Sequence, residues 1–275
     1  MAKNKRFPIP LRYPGGKHYA IDILEPFFSK PHKEYREPFA GGATVFFNKD
    51  KTEVNWLNDL DSELVCFYQI IQDPVTGNDL IKSFEEEPEA TKERWHEVFE
   101  MKAESDFDKA WKYYFLNRTS FSGKLVSASW GYRPKRSLPP FRWHERLKPT
   151  MDKLSNVKLT NLDFEKVILE DSKFHNDEVL IYVDPPYFLP PKNKHYRHGL
   201  NLEDHERLAE TLKKTKYKFF LTYDDCPQIR ELYKWANVYE LKFFYRVQNS
   251  NFSSGSRKMG FELIITNFEV DWESV

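Results

Sequence analysis

Asp184-Pro185-Pro186-Tyr187 follows directly on the apolar run Val179-Leu180-Ile181-Tyr182-Val183, so a carboxylate and two prolines stand where a buried strand should leave a sheet. In open α/β sheets, ligands bind at that place. Neither proline supplies a backbone N–H, so the strand ladder stops and the carbonyls of the turn are free to accept hydrogen bonds from a guest. An amino group flanked by such acceptors is the natural guest. For four residues taken alone, a Pro-Pro strand stop beside an unrelated Asp and Tyr is the alternative.

Two glycine-bearing segments precede this turn. In Arg12-Tyr13-Pro14-Gly15-Gly16-Lys17 the glycines permit close backbone approach to a ligand and Lys17 stands at the mouth of a helix, although a glycine pair also makes an ordinary turn. Glu37-Pro38-Phe39-Ala40-Gly41-Gly42-Ala43 follows a short strand and opens a helix, as the cofactor loop of a Rossmann-like half does. It is not the G-x-G-x-x-G pyrophosphate fingerprint, which counts against NAD or FAD. Asp59, 17 residues after Gly42 at the end of the next strand, can accept hydrogen bonds from ribose hydroxyls or stand as a solvated strand end.

The elements that must position these groups alternate. Strands are expected at 33–37, 53–58, 157–161, 179–183, 217–222, 239–244 and 261–267, and helices at 17–28, after Gly42, at 61–72 and at 202–213, the last capped by Asn201 with Asp204 three residues on. This order predicts an α/β fold with βαβ units and a mainly parallel sheet. Between 75 and 151 no strand pattern appears; helical periodicity (Trp95, Val98, Phe99; Trp111, Tyr114, Phe115) gives way to a Gly-, Ser- and Pro-rich stretch at 122–140. The expected organisation is a Rossmann-like catalytic domain made of 1–74 and 152–275, with 75–151 as a helical insertion.

Charge balance conceals segregation. The 275 residues carry 42 basic and 42 acidic side chains, yet 85–108 holds ten acidic against three basic residues, a net of −7, and 118–158 holds ten basic against two acidic, a net of +8. The acidic segment avoids polyanions. The basic one includes Phe121, Trp130, Tyr132, Phe141 and Trp143, and rings that stack on bases beside cations that hold phosphates favour a nucleic-acid surface over a merely solvated face. Cys66 and Cys226 lie far apart without metal spacing, so neither a disulfide framework nor a zinc site is supported, and both are expected to be buried thiols. No stretch is long enough for a membrane span and no apolar signal core follows the start, so a cytoplasmic protein is expected.

Taken in order, Tyr13-Pro14-Gly15-Gly16-Lys17, Glu37-Pro38-Phe39-Ala40-Gly41-Gly42, Asn58-Asp59 and Asp184-Pro185-Pro186-Tyr187 resemble the Dam-type DNA adenine-N6 methyltransferases. Asn117-Arg118-Thr119-Ser120-Phe121-Ser122-Gly123 is similar to that family's Asn-Arg-x-x-Phe-Asn-Gly segment, with Ser122 in place of Asn, and His205-Glu206-Arg207-Leu208-Ala209 fits its C-terminal half. The resemblance implies S-adenosylmethionine as methyl donor and no metal. It places Tyr13 and Lys17 beside the cofactor, Glu37, Phe39 and Gly41 around its methionine part, Asp59 at its ribose, and Asp163 and Phe164 at its adenine ring; for Asp163 a helix N-cap is the competing role.

The implied reaction is methyl transfer to the N6 amine of an adenine flipped from duplex DNA. Asp184 and the Pro185 carbonyl would hold the amine and Tyr187 would stack on the base, so Asp184→Ala is expected to abolish transfer and leave the fold intact. Arg12, Asn117, Arg118, Lys124, Arg133, Lys135, Arg136 and Arg142 are the candidate DNA contacts, divided between phosphates and guanines. Residues 125–143 carry no familiar recognition string, so a GATC target rests on the family alone, and 190–198 is read either as a loop that closes on the base or as a solvated basic loop. Cytosine-N4 or RNA-adenine methylation, a role on protein glutamine, and an inactive nucleic-acid-binding module are the alternatives; a cognate restriction endonuclease is left open.

Overall fold

The structure, a computed structural model, describes residues 6–188, 199–244 and 259–270. Seven strands, β1 (Glu34–Glu37), β2 (Val54–Asn58), β3 (Lys158–Thr160), β4 (Val179–Val183), β5 (Lys218–Asp224), β6 (Asn237–Phe244) and β7 (Met259–Thr266), form one sheet in the order β3-β2-β1-β4-β5-β7-β6. β1 to β5 pair parallel, and β7 enters antiparallel between β5 and β6. The sheet is thus mainly parallel, as expected. Strand composition does not encode the reversal of β7.

Ten helices are described: α1 (Ile21–Phe28), α2 (Thr44–Asn48), α3 (Ser62–Gln72), α4 (Pro74–Glu85), α5 (Lys92–Glu100), α6 (Asp106–Thr119), α7 (His144–Leu154), α8 (Phe164–Leu169), α9 (Leu202–Lys214) and α10 (Pro227–Leu232). Side chains that accept from the first free amides set several starts: Asp61 for α3, Asp73 with Pro74 behind it for α4, and reciprocal Ser105/Asp108 and Asn201/Asp204 boxes for α6 and α9. The helix expected over 17–28 is broken at Ala20 into a 3-10 turn, Lys17–Tyr19, and α1. That break matters because the Lys17 side chain ends up buried toward the sheet.

Period-two alternation divides the core. Leu180 and Tyr182 of β4, Phe220 of β5 and Ile264 of β7 join residues of α1 to α7, whereas Val179, Ile181, Val183, Phe219, Leu221, Leu263 and Ile265 join those of α8 to α10. Helices α4 to α7 are continuous with the first of these cores: Phe67 of α3 stacks on Tyr114 of α6, and Trp143 meets Phe84 and Tyr114 edge-on. β1 is central despite the sequence Glu-Tyr-Arg-Glu. Arg36 is fully buried, pairs with Glu34 at 2.7 Å, donates to the carbonyls of Val167 and Glu170, and lies between Trp56 and Tyr217, so its charge is compensated in place.

Candidate active site

β1 pairs with β2 on one side and β4 on the other, so the direction of winding reverses between β1 and β4 and a crevice opens beyond their carboxyl ends. Glu37 ends β1, Asp184 follows β4, and both line one cleft with Tyr13, Lys17, Phe39 and Gly41. Lys17 Nζ reaches both Asp184 oxygens, at 2.7 and 2.9 Å, and donates to the Gly15 carbonyl at 3.1 Å. Lys17 is only 2% exposed, which makes this a largely desolvated ion pair. From β5, Thr222 Oγ1 donates to Asp184 Oδ1 at 2.7 Å, with the Tyr182 hydroxyl 3.2 Å behind it. The carboxylate is therefore fixed from two sides, and Oδ1 is more fully used than Oδ2. Tyr187 lies with its ring 5.0 Å from Lys17 Nζ. The Phe188 amide donates to Asp224 Oδ1 at 2.9 Å, tying the turn to β5.

The neighbouring wall is glycine-lined and acidic. Gly41 has φ +47°, and a β-carbon there would fall 2.7 Å from Cε1 of Tyr13, so the Tyr13 ring can lie on this backbone only because Gly41 lacks one. Asp59 receives the amides of Gly41 and Asp61 at 2.8 and 2.9 Å and lines a second cleft shared with Tyr13, Phe39, Gly41 and Asp184. Glu37 is fully buried; Tyr35 Oη and the Phe46 amide both donate to its Oε1, at 2.6 and 2.9 Å. Burial nonetheless pushes its carboxyl up to about 8, the mark of an anion short of a cation. Together these groups suit a ligand that carries positive charge at one end and sugar hydroxyls at the other.

Asp163 is the N-cap of α8, and Arg207 takes both its oxygens at 2.7 and 2.9 Å. Any ring contact there competes with that pair. Phe164 stands behind Phe39, ring centres 5.3 Å apart.

The proposed DNA contacts separate into three groups. Asn117 and Arg118, in the last turn of α6, are buried: Asn117 accepts the Arg12 amide at 2.9 Å and donates to the carbonyls of Arg12 and Gly123, and Arg118 donates to the Pro10 carbonyl. Arg12, Arg118 and Arg136 meet Arg146 around a basic cavity of about 480 Å³. Burial, with Arg12 and Arg146 nearby, pushes Arg118 down to about 10. Arg133 and Lys135 stand on an exposed turn, Lys124 is half-buried, and Arg142 is exposed but paired with Glu145 at 2.6 Å. The interleaved rings do not act together as expected: Phe121 and Phe141 are exposed, whereas Tyr132 and Trp143 belong to the core. A dense aromatic segment has to supply its own packing first. Cys66, expected to be buried, is half-exposed; Cys226 is buried. The segment 190–198 lies outside the described residues.

Gly123 explains the Asn117 to Gly123 motif physically. Its φ is +71°, and a β-carbon would come 2.2 Å from the Arg12 carbonyl oxygen, so this turn clamps the backbone that leads into Tyr13. Gly123→Ala is expected to cost about 1–3 kcal/mol and to weaken duplex binding. Urea unfolding and fluorescence anisotropy check this; an unchanged midpoint would mean that the turn relaxes without disturbing Arg12.

Residues that the sequence did not single out include Thr222 and Glu262, polar positions inside otherwise apolar strands, and Arg146, hidden among other basic residues of α7. Isolated polar residues in strand patterns were the available signal.

A doubly wound sheet with an Asp-Pro-Pro-Tyr turn and an acidic glycine cradle at its switch point defines a Rossmann-like amino-methyltransferase. Residues 13–247 match the family model for the D12 class of N6 adenine-specific DNA methyltransferases, and the chain belongs to that family. It is 26% identical over 266 residues to the Type II methyltransferase M.CviBI of Paramecium bursaria Chlorella virus NC1A, covering 94% of this chain and 98% of that one. The Type II methyltransferase M.MjaIII of Methanocaldococcus jannaschii is 25% identical over 292 residues, with the same coverage. A DNA adenine methylase of Vibrio cholerae is 23% identical over 256 residues, covering 88% of this chain and 89% of its own.

Proposed function

We propose that this enzyme methylates adenine N6 at a short fixed sequence in duplex DNA, on a nucleotide flipped into the cleft beside Asp184. The carrying observation is the Asp184 carboxylate at the exit of β4, oriented by Lys17 and Thr222 at 2.7 Å each and set against the acidic glycine cradle. The exocyclic amine of adenine is a poor nucleophile because its lone pair is delocalised into the ring. Asp184 Oδ2 and the Pro185 carbonyl accept hydrogen bonds from its two N–H groups and favour a more tetrahedral nitrogen, which becomes cationic on methylation and readily gives up one proton, so positioning and fixed dipoles supply the rate. Tyr187 stacks on the extruded base and offsets part of the few kcal/mol that unstacking costs.

S-adenosylmethionine fits the cradle: bound there, it supplies an electrophilic methyl group on a sulfonium. Glu37 would take its ammonium, Asp59 its ribose hydroxyls, and Tyr13, Lys17, Phe39 and Gly41 would enclose it, with Phe164 supporting Phe39 and Asp163 at the adenine end. For DNA, Arg12, Arg136 and Arg146 face the phosphates or guanines while Asn117 holds the backbone of Arg12 and Arg118 that of Pro10; Lys124, Arg133, Lys135 and Arg142 lie along the same insertion, residues 75–151. GATC is the proposed target. The Type II names of two relatives favour a cognate restriction endonuclease as companion.

Methyl transfer from labelled S-adenosylmethionine to unmethylated duplex DNA, with mass analysis of nucleosides and mapping of the modified positions, tests this reading. N6-methyladenine at one short sequence is expected; N4-methylcytosine, or label in RNA alone, would overturn it. Arg146→Ala should weaken binding to all duplexes alike and lower the slope of log affinity against log salt by about one. Relaxed preference at a single base pair would instead make Arg146 a base reader.

A further inference from the structure

Glu262 lies within β7, in register with Asp224 of β5 and Leu241 of β6, and shares a sheet face with Ile264. It is 3% exposed. A carboxyl buried among aliphatic residues costs several kcal/mol unless it is paired, and an aliphatic residue would serve the packing better. Its Oε1 accepts from the Tyr19 hydroxyl at 2.9 Å. Its Oε2 and the Tyr187 hydroxyl are both buried and neither completes a well-formed hydrogen bond, yet they lie close enough for a weak Tyr187–Glu262 contact to shift the ionisation of both. Lys17 and Asp184 are its charged neighbours, and burial holds the carboxyl above its ordinary range while Lys17 opposes that shift.

Two buried polar groups in near contact but short of a well-formed bond inside a reaction site are an arrangement that tightens when substrate enters, because hydrogen bonds in free sites are commonly long or misaligned. We propose that Glu262 is a positioning residue for methyl transfer, taking the Tyr187 hydroxyl when a base occupies the cleft and so fixing the ring that stacks on it. The assignment rests on the reading of Asp184-Pro185-Pro186-Tyr187 as the amine site. Glu262 touches neither the base nor the methyl group; it acts through Tyr187.

The test is a double-mutant cycle in the full chain with Glu262→Gln and Tyr187→Phe. It reads single-turnover methyl transfer to unmethylated plasmid DNA, S-adenosylhomocysteine affinity by calorimetry, and the unfolding midpoint. Each single variant is expected to lose about tenfold in single-turnover rate, with cofactor affinity kept within about twofold, and the double variant to be no slower than either. A Glu262→Gln enzyme at the wild-type rate, or losses that multiply in the double variant, would overturn the proposal. If Glu262→Gln does not fold, Tyr187→Phe, which removes only the hydroxyl, decides: a full rate overturns the assignment and a reduced one supports it. Absence of N6-methyladenine from the parallel wild-type reaction would overturn the functional reading itself, a result distinct from any of these.

Discussion

Asp184→Asn is expected to lower single-turnover methyl transfer by about 10²–10³-fold while S-adenosylhomocysteine still binds. The amide keeps the shape of the carboxylate and one acceptor for Lys17, but turns a donor toward the position where the amine must give its hydrogens. Asp184→Ala is the less informative variant. From sequence it should spare the fold, but Lys17 is 2% exposed and its ammonium lies 2.7 and 2.9 Å from the two Asp184 oxygens. Removing that partner strands a buried cation, at about 3–5 kcal/mol. Thermal unfolding of both variants, with Lys17→Met/Asp184→Ala as the neutralised pair, separates chemistry from stability. The double variant should regain much of the lost midpoint and none of the rate. Turnover by Asp184→Asn near that of the wild type would sink the role given to Asp184.

Glu37→Gln carries the second large effect, on the cofactor and on pH dependence. Burial pushes the Glu37 carboxyl up to about 8, against the donors Tyr35 and Phe46, with Asp184 and Lys49 as its charged neighbours. Because its folded pKa lies above the unfolded one, the stability from this group is complete below the ordinary glutamate range of about 4.3. It is lost as pH rises toward about 8. The free enzyme should therefore lose stability on this group's account across that window, and Glu37→Gln should flatten the dependence. A ligand ammonium reverses the shift, so binding below that pH must expel a proton. Calorimetry of S-adenosylhomocysteine in buffers of different ionisation enthalpy is expected to show that release in the wild type and not in Glu37→Gln, whose affinity should fall about tenfold or more. Affinity in the wild type should climb with pH until the ligand's own amine deprotonates, near about 8. Equal proton release by both proteins would remove Glu37 from the cofactor site.

How much of this was legible can be judged residue by residue. β4 was readable to its exact ends, Val179–Val183, because five apolar residues before a Pro-Pro pair admit little else. β1 was readable in position, but its sequence Glu-Tyr-Arg-Glu gives no sign of a central strand; the pairing of Arg36 with Glu34 and its place between Trp56 and Tyr217 made burial tolerable. Asp163 was open between a contact with the cofactor's adenine ring and a helix N-cap, and the fold shows it capping α8 and paired with Arg207. Arg118 read as a DNA-contacting cation and is 4% exposed, because the face that a helix turns inward is set by its neighbours as much as by its own periodicity.

By itself the sequence determined the local chemistry and its order: a proline-stopped strand with Asp184, two glycine turns, an acid after the second strand, and segregated charge. These follow from short-range rules of φ, hydrogen-bond donors and side-chain period, which act within a few residues. Only the tertiary structure decided which of these groups meet. Parallel pairing of β1 with β4 sets Glu37 beside Asp184 across 147 positions of chain, the break at Ala20 turns Lys17 onto Asp184, and the antiparallel entry of β7 brings Glu262 near Tyr187. Contacts between distant segments depend on how apolar faces pack and where connections cross, and those are properties of the assembled sheet rather than of any stretch within it.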